Sequence, residues 1–393
     1  RSGLVSGELS VAMLSHLASP MAPTGAERSL VVLANGLAAR DHRMTVAVPG
    51  PWILERELSA GIEVRRVPCR MCWLTHYEPE PAWKVAARWL RFAAADPGGG
   101  RLERWLRDTS PDVVHVNCLP HVRGARAAYR AGRPVVWHVR EILPPGPRRR
   151  WFADRIPSCA ASVVAVSEAV AAWLREEGLG ARVTVVPNGV DVPAAPRGRE
   201  EARRALGVPV DGIVAGLFGQ LLPHKGVLEA IAAVATARAE APALRLLVAG
   251  DGPPEFLAEI DAEVGRRGIG AFFQRLPGRA DPSDLFAAAD VVVLATRTPD
   301  PLPRAVLEAM AWGRPVAAFR SGGTAEMVVD GRTGFLVDSA DVAGLGKAIA
   351  RLAVDAELRE RLGAAGRARA RESFSTEAYV TRMAEIFREV AGR

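Results

Sequence analysis

Short apolar runs, each followed by a turn and a stretch of helical periodicity, recur along the whole chain. This alternation restricts the fold more than any other feature. In the first half the runs fall at 9–14, 45–48, 63–67, 113–116, 134–139, 163–166 and 183–186, with helix-period apolar positions at 26–39 and 168–177 between them. Strands this short and uniformly apolar, separated by helices, predict parallel sheet buried on both faces. Val192-Pro193-Ala194-Ala195-Pro196-Arg197-Gly198 breaks the pattern and reads as a linker. A second α/β set runs from Ile213 to about Val337 and gives way to helices, the last at 377–390. The 393 residues suit two domains of roughly 150–200 residues each. Expected boundaries are 1–192 and 197–372.

Composition removes several classes of function. Hydrophobic residues make up 49% and charged ones 24%, enough core and too little charge for a disordered chain. No apolar run approaches the roughly 18–20 residues of a membrane span. Arg1 to Gly7 lack the apolar stretch of a signal peptide and read as a tail. Cys69, Cys72, Cys118 and Cys159 are too few for a disulfide scaffold, and Cys69-Arg70-Met71-Cys72 has no second ligand pair to complete a zinc site. A reduced, cytoplasmic setting is therefore expected, with peripheral membrane contact as an added reading. Residues 1–196 hold 25 Lys and Arg against 18 Asp and Glu, while 197–393 hold 26 of each. All of the net charge of +7 lies in the first half, which suits an anionic surface or ligand, or simply an arginine-rich solvated face.

One passage in the second half concentrates chemistry. Asp300-Pro301-Leu302-Pro303-Arg304-Ala305-Val306-Leu307-Glu308 follows an apolar strand and places one carboxylate at its end and a second inside a helix. Pro303 suits the first helical turn, where a missing N–H costs nothing. The open N–H groups of that turn attract anions, and the carboxylates accept hydroxyls. A sugar nucleotide presents both. An ordinary surface loop with two solvated acids remains the alternative for this passage alone. Other strand-to-glycine turns accompany it: Gly219-Gln220-Leu221-Leu222-Pro223-His224-Lys225-Gly226, Gly250-Asp251-Gly252-Pro253, and Ser321-Gly322-Gly323-Thr324. Lys225 stands out because only Lys84, Lys225 and Lys347 among 51 basic residues are lysine. A compact ammonium before Gly226 suits a phosphate. The Gly219-to-Lys225 passage is not a P-loop, since the second glycine and the following Ser or Thr are missing.

Together with Pro187-Asn188-Gly189-Val190-Asp191, these motifs resemble the retaining GT-B glycosyltransferases of glycosyltransferase family 4, over nearly the whole chain and most strongly from Val163 onward. The resemblance implies an α/β fold of two Rossmann-like domains facing across a cleft. It also implies an acceptor-side first domain, onto which the last helix, about 377–393, packs back. The implied activity is transfer of a sugar from a nucleotide diphosphate to an unknown acceptor (natural product, glycan or lipid-linked), with no cofactor. By the same resemblance Lys225 stabilises the departing diphosphate, Glu308 holds the ribose, Asp300 holds the donor sugar and His138 orients the reacting centre. Gly25, Gly219, Gln220, Leu302, Arg304 and Ala305 complete the donor site. His16, His115 and His121 lie near other strand ends as weaker candidates, and a satisfied core histidine is the alternative reading of His138.

Three positions depart from the family pattern. Gln220 stands where a second cation is usual, so Arg304 or Arg140 substitutes or phosphate binding weakens. Asp300 replaces a glutamate and is one methylene shorter. Thr24 replaces the first of two glycines before the helix at 26–39. No Asp-x-Asp occurs, so no metal is expected, and Lys225 with the helix start would supply its electrostatics. No G-x-G-x-x-G opens either half, against an NAD enzyme, and no nucleic-acid motif accompanies the basic charge. The alternatives are a sugar-nucleotide epimerase or hydrolase of the same fold, and a non-catalytic nucleotide-sugar-binding protein. Eight of nine tryptophans (Trp52, Trp73, Trp83, Trp89, Trp105, Trp137, Trp151, Trp173) lie in the first half. Aromatic and basic residues mix at 81–92 and again in Pro147-Arg148-Arg149-Arg150-Trp151-Phe152, which suits anionic lipid, a stacked soluble acceptor, or core packing.

Overall fold

The computed structural model describes residues 7–17, 23–72, 81–93, 97–194, 198–279 and 281–392. The first six residues, Trp73, and residues 195–197 of the expected linker lie outside them. By contacts the chain divides into two compact units, one running to Gly189 and resuming at Thr376, the other spanning Val190–Ser375.

The first unit is built on a seven-stranded parallel sheet: β1 (Ser10–Ser15), β2 (Arg43–Val48), β3 (Glu63–Arg66), β4 (Val113–Asn117), β5 (Val135–Val139), β6 (Ser162–Ala165) and β7 (Val183–Val185). Their spatial order is β3-β2-β1-β4-β5-β6-β7. The direction of winding reverses between β1 and β4, the point where an open α/β sheet offers a crevice beyond its carboxyl ends. β4 and β5 are buried along their whole length, as their near-continuous valines require. The strands begin and end within two residues of the sequence reading.

The closing helix Thr376–Ala391 belongs to this unit and packs on the helix Gly25–Ala38. Tyr379, Val380, Met383, Ile386 and Phe387 are buried on it, a stripe at helical spacing. The contact is close because Gly36 has no side chain. A Cβ there would meet Val380 Cγ2 at 2.5 Å.

The second unit repeats the plan with a six-stranded parallel sheet: β8 (Ile213–Phe218), β9 (Leu244–Ala249), β10 (Phe273–Leu276), β11 (Val291–Leu294), β12 (Val316–Phe319) and β13 (Gly334–Val337), in the order β10-β9-β8-β11-β12-β13. Its reversal point lies between β8 and β11. Ala215, Leu217, Val291 and Val293 bury against the helices Val227–Ala237 and Val342–Val354. Gly207 (φ 64°) and Gly268 (φ 67°) end helices in the left-handed conformation that lacks a penalty only for glycine. Two parallel-sheet units of this order are the Rossmann-like halves of a GT-B fold.

Candidate functional site

In the second unit the sequence motifs converge on the carboxyl ends of β8 and β11. Chain leaving β8 passes Gly219 and the exposed Gln220, then makes one tight turn, Pro223–Lys225, before the helix Val227–Ala237. Lys225 thus sits in the turn, with Gly226 between it and the helix. Gly226 has φ 72°, and a Cβ on it would fall 1.7 Å from the Ala295 carbonyl oxygen just beyond β11. Only glycine allows the turn to lie this close. Arg297 N donates to His224 O at 2.9 Å and ties the same two segments together.

That docking brings Lys225 to Asp300, 75 residues away: Lys225 Nζ donates to Asp300 Oδ2 at 2.7 Å. The Asp300 backbone is held in turn by the paired glycines. Gly323 N donates to Asp300 O at 2.9 Å. A Cβ on Gly322 would lie 2.2 Å from Asp300 O, and one on Gly323 would lie 2.1 Å from Pro301 O. The Gly250 and Gly252 motif packs the same way on the loop after β8, with would-be Cβ contacts of 1.7 Å to Gly219 O and 2.2 Å to Leu221 O. Each glycine motif therefore brings one loop against another at the sheet's carboxyl end.

Pro303 is the N-cap of the helix Arg304–Ala311, whose first backbone bond runs from Val306 N to Pro303 O at 3.0 Å. Leu302 is buried, while Ala305, Arg304 and Glu308 are half-buried. Arg304 Nη2 pairs with Glu308 Oε1 at 3.1 Å, one turn along. Two ion pairs thus stand close along the chain, Lys225–Asp300 between a turn and a loop and Arg304–Glu308 on the helix that follows that loop. A polyanionic ligand and its hydroxyls could exchange for these partners without exposing a buried charge.

The first unit places its candidates differently. His138 lies within β5, is 0% exposed, and meets His115 (Nδ1 to Nε2, 3.3 Å) and Arg140 Nη2 (3.3 Å). A guanidinium only donates, so His138 Nδ1 must accept and the neutral ring carries its proton on Nε2. Nε2 has no partner and is buried. Burial, then the Arg140 charge and His115, hold His138 well below the usual histidine range.

Arg140 is itself buried, donating to Asn117 Oδ1 at 2.7 Å, to Asn188 Oδ1, and to the Tyr379 hydroxyl at 3.1 Å. As the substitute cation for Gln220 it is already engaged, and Arg304 faces Glu308. Asn188 of the Pro187-Asn188-Gly189 motif serves this network.

Gly25 is exposed at the start of its helix. Thr24, the departure from glycine, caps that helix. Its hydroxyl accepts from Glu27 N at 3.3 Å, while Glu27 Oε2 accepts from Thr24 N at 2.8 Å. His16 and His115 are buried and His121 caps the helix Val122–Arg130; burial takes all three down to about 3.

Sequence reasoning missed Glu141. It is buried, and its Oε2 accepts from Leu119 N and Arg140 N, both at 3.0 Å. Burial pushes its carboxyl up to about 7 against those two bonds. Beside it Cys118, the residue after β4, has φ 81°, a left-handed conformation costly for a side-chain-bearing residue. The Glu immediately after Arg140 was the only signal available.

The second aromatic and basic stretch, 147–152, is a packing cluster. Phe152 and Arg149 are buried, and Trp151 packs edge-on against Trp89 at 4.7 Å with Arg155 over its ring at 3.7 Å. Trp83, by contrast, is 68% exposed and Leu90 73% exposed on the helix Ala82–Ala93. Among the described residues no helix is long and apolar enough to cross a membrane, and no group of three or more His, Cys, Asp or Glu side chains is placed to hold a metal.

The family model for glycosyl transferases group 1 matches residues 198–369, and that for Glycosyltransferase Family 4 matches residues 23–193. The chain is 30% identical to a D-inositol 3-phosphate glycosyltransferase of Streptomyces avermitilis, over 96% of this chain and 87% of that one. It is also 30% identical to a GDP-mannose-dependent alpha-(1-6)-phosphatidylinositol monomannoside mannosyltransferase of Mycolicibacterium smegmatis, over 89% of this chain and 91% of that one. The solved structure of Anabaena HepE in complex with UDP-glucose superposes with a TM-score of 0.81 at 24% identity, covering 97% of this chain and 100% of that one. With glycine motifs, fold and relatives in agreement, the chain belongs to the GT4-type glycosyltransferases of GT-B fold.

Proposed function

We propose that this glycosyltransferase moves a sugar from a nucleoside diphosphate donor with retention of anomeric configuration and without a metal or other cofactor. The observation that carries the reading is the placement of Lys225 against Asp300, on loops locked together by Gly226, Gly322 and Gly323, and of Arg304 against Glu308 on the helix that follows. Lys225 and the start of the helix Arg304–Ala311 take the diphosphate and stabilise the charge it gains on departure. Gly219 and Gln220, at the end of β8, border the donor with Leu302 and Ala305. Glu308 accepts the ribose hydroxyls, and Asp300, released by Lys225 to the phosphate, accepts a hydroxyl of the sugar. His138 orients the reacting centre through its Nε2–H, and Gly25 gives backbone access to the phosphates. Acceptor attack and departure of the diphosphate share one face of the sugar, so no enzyme nucleophile is needed.

The donor base is open. A structural neighbour was solved with UDP-glucose, and one relative is named for GDP-mannose. Titrating the chain with UDP, GDP, ADP and dTDP identifies the base. Transfer assays with the matching sugar nucleotide, run with and without EDTA, then test the rest. A donor that binds and is never transferred favours the non-catalytic binding protein; conversion of the free sugar nucleotide favours an epimerase or hydrolase; loss of transfer in EDTA overturns metal independence. A cytoplasmic protein touching an anionic membrane is a further part of the reading. It is supported by the exposed Trp83 and Leu90 on a helix that also carries Lys84, Arg88 and Arg91.

A further inference from the structure

Arg140 is buried, yet every side chain that accepts from it is uncharged: Asn117 Oδ1, Asn188 Oδ1, the Tyr379 hydroxyl and His138 Nδ1. Glu141, next in the chain, gives its carboxylate to the main-chain N–H groups of Leu119 and Arg140 and not to the guanidinium. Enclosing a guanidinium without a paired carboxylate is costly, because neutral dipoles replace its hydration only in part. All of these residues belong to the first unit. The cost has a visible result in the two histidines beside the guanidinium.

His138 Nδ1 faces two nitrogens at the same distance, Arg140 Nη2 and His115 Nε2, each 3.3 Å away. The guanidinium can only donate, so the Nδ1 lone pair is turned to it. His115 Nε2 then has to bring a hydrogen as well, since a second lone pair would face the first. Two contacts of 3.3 Å suit one lone pair shared by two donors. The reverse arrangement, with both protons on Nδ1, is closed because it sets an N–H of His138 against an N–H of the guanidinium. We infer that Arg140 is a positioning residue that fixes two histidine protons at once, with both His115 and His138 carrying hydrogen on Nε2. His115 Nδ1 is left as a bare buried acceptor, and the unpartnered Nε2–H of His138 becomes a standing donor. Burial, followed by the Arg140 charge, keeps both rings neutral.

Tyr379 acts one step further back. Its hydroxyl takes one hydrogen of Arg140 Nη2 at 3.1 Å, which leaves the other for His138. The functional consequence rests on the proposed role of His138 at the reacting centre. A ring with Nδ1 already accepting and Nε2 already protonated has no free lone pair. His138 can therefore donate to an oxygen of the sugar but cannot act as a base toward the attacking hydroxyl.

The test reads the proton positions directly. The full chain is labelled with 15N-histidine, and two-bond 15N–1H spectra at pH 7 report which ring nitrogen carries hydrogen in each of its seven histidines. His115→Gln and His138→Gln assign the two signals. The expected wild-type result is a neutral ring with hydrogen on Nε2 at both positions. Arg140→Met should release the pair, so that Nδ1–H forms of both rings appear. Tyr379→Phe keeps the buried ring and removes only the hydroxyl. It should show a smaller loss in the same sense, and it carries the test if Arg140→Met does not fold. Hydrogen on Nδ1 or a charged ring at either position of the wild type overturns the inference. So does an unchanged pair of signals in either folded variant, even with a lowered Tm, because Arg140 would then only fill the core. Nucleotide binding and transfer are measured separately. Their failure removes the role of His138 at a reacting centre and leaves the proton positions to stand or fall by the spectra.

Discussion

Lys225 and Asp300 neutralise each other in the free protein, so removing one or the other should change nucleotide affinity in opposite directions. The four charges at the site, Lys225, Asp300, Arg304 and Glu308, sum to zero as paired. Lys225→Ala leaves a net negative site facing a diphosphate. Asp300→Asn leaves a net positive one. A unit charge about 4 Å from a phosphate is worth about 4 kcal/mol at an effective dielectric constant near 20. The Lys225 side chain is 28% exposed, so solvent screening trims this, and about 3 kcal/mol is the working figure. Lys225→Ala should therefore lower kcat/KM by roughly 10²–10³ and weaken nucleoside diphosphate binding. Asp300→Asn should tighten nucleoside diphosphate binding and still lower kcat, because the sugar hydroxyl loses its acceptor. Calorimetry with UDP and GDP gives the affinities, and initial rates give the turnover. If both variants shift nucleotide affinity in the same direction, with similar losses of Tm, the pair is a structural salt bridge and the reasoning fails.

Other outcomes follow from neighbouring residues. Gly226→Ala combines a left-handed backbone with a Cβ 1.7 Å from Ala295 O, and should cost about 3 kcal/mol or more in denaturant unfolding. Gly219→Ala has strained φ (139°) but no atom within 4 Å, and should cost clearly less; equal losses would contradict the docking argument. Gln220→Arg, on an exposed position at the end of β8, should tighten nucleoside diphosphate binding roughly tenfold in a salt-sensitive manner, and unchanged affinity would place the phosphates elsewhere. Glu141 is raised from 4.5 to about 7, so the folded state binds the extra proton. Its contribution is fully present below pH 4.5 and is lost as pH rises to about 7, a total of about 3 kcal/mol. The buried histidines act oppositely, losing stability as pH falls from 6.5 towards 3. The Tm of Glu141→Gln relative to wild type should therefore climb between pH 4.5 and 7 and level off above, whereas a pH-independent offset would exclude a buried proton on Glu141.

What the sequence disclosed was whatever one strand or one turn decides by itself. Valine runs on β4 and β5 announce burial on both faces, and the strand limits follow to within two residues. Glycine motifs were legible for a related reason: Gly226, Gly250, Gly322 and Gly323 each face a carbonyl oxygen that leaves no room for a side chain. The requirement is local in the glycine even though the oxygen is remote. Pairings between side chains carry no such mark. Lys225 was conspicuous as a rare lysine, yet nothing near it points to Asp300, 75 residues on. Trp89 and Trp83 share a helix and the same basic neighbours, and only the position of Trp151 makes one a packed ring and the other an exposed one.

Arg140 shows the limit most clearly. Two residues beyond His138, it was open to reading as a spare cation for phosphate. A guanidinium cannot shed its proton, so burying it requires acceptors at fixed positions. Asn117, Asn188 and Tyr379 supply them from three separate stretches of the first unit, one reached only after the chain has run through the second. With its other donors fixed, Nη2 reaches His138 Nδ1 and leaves that ring neutral, its proton on the unpartnered Nε2. The closing helix, through Tyr379, therefore helps set the tautomer of a histidine on β5.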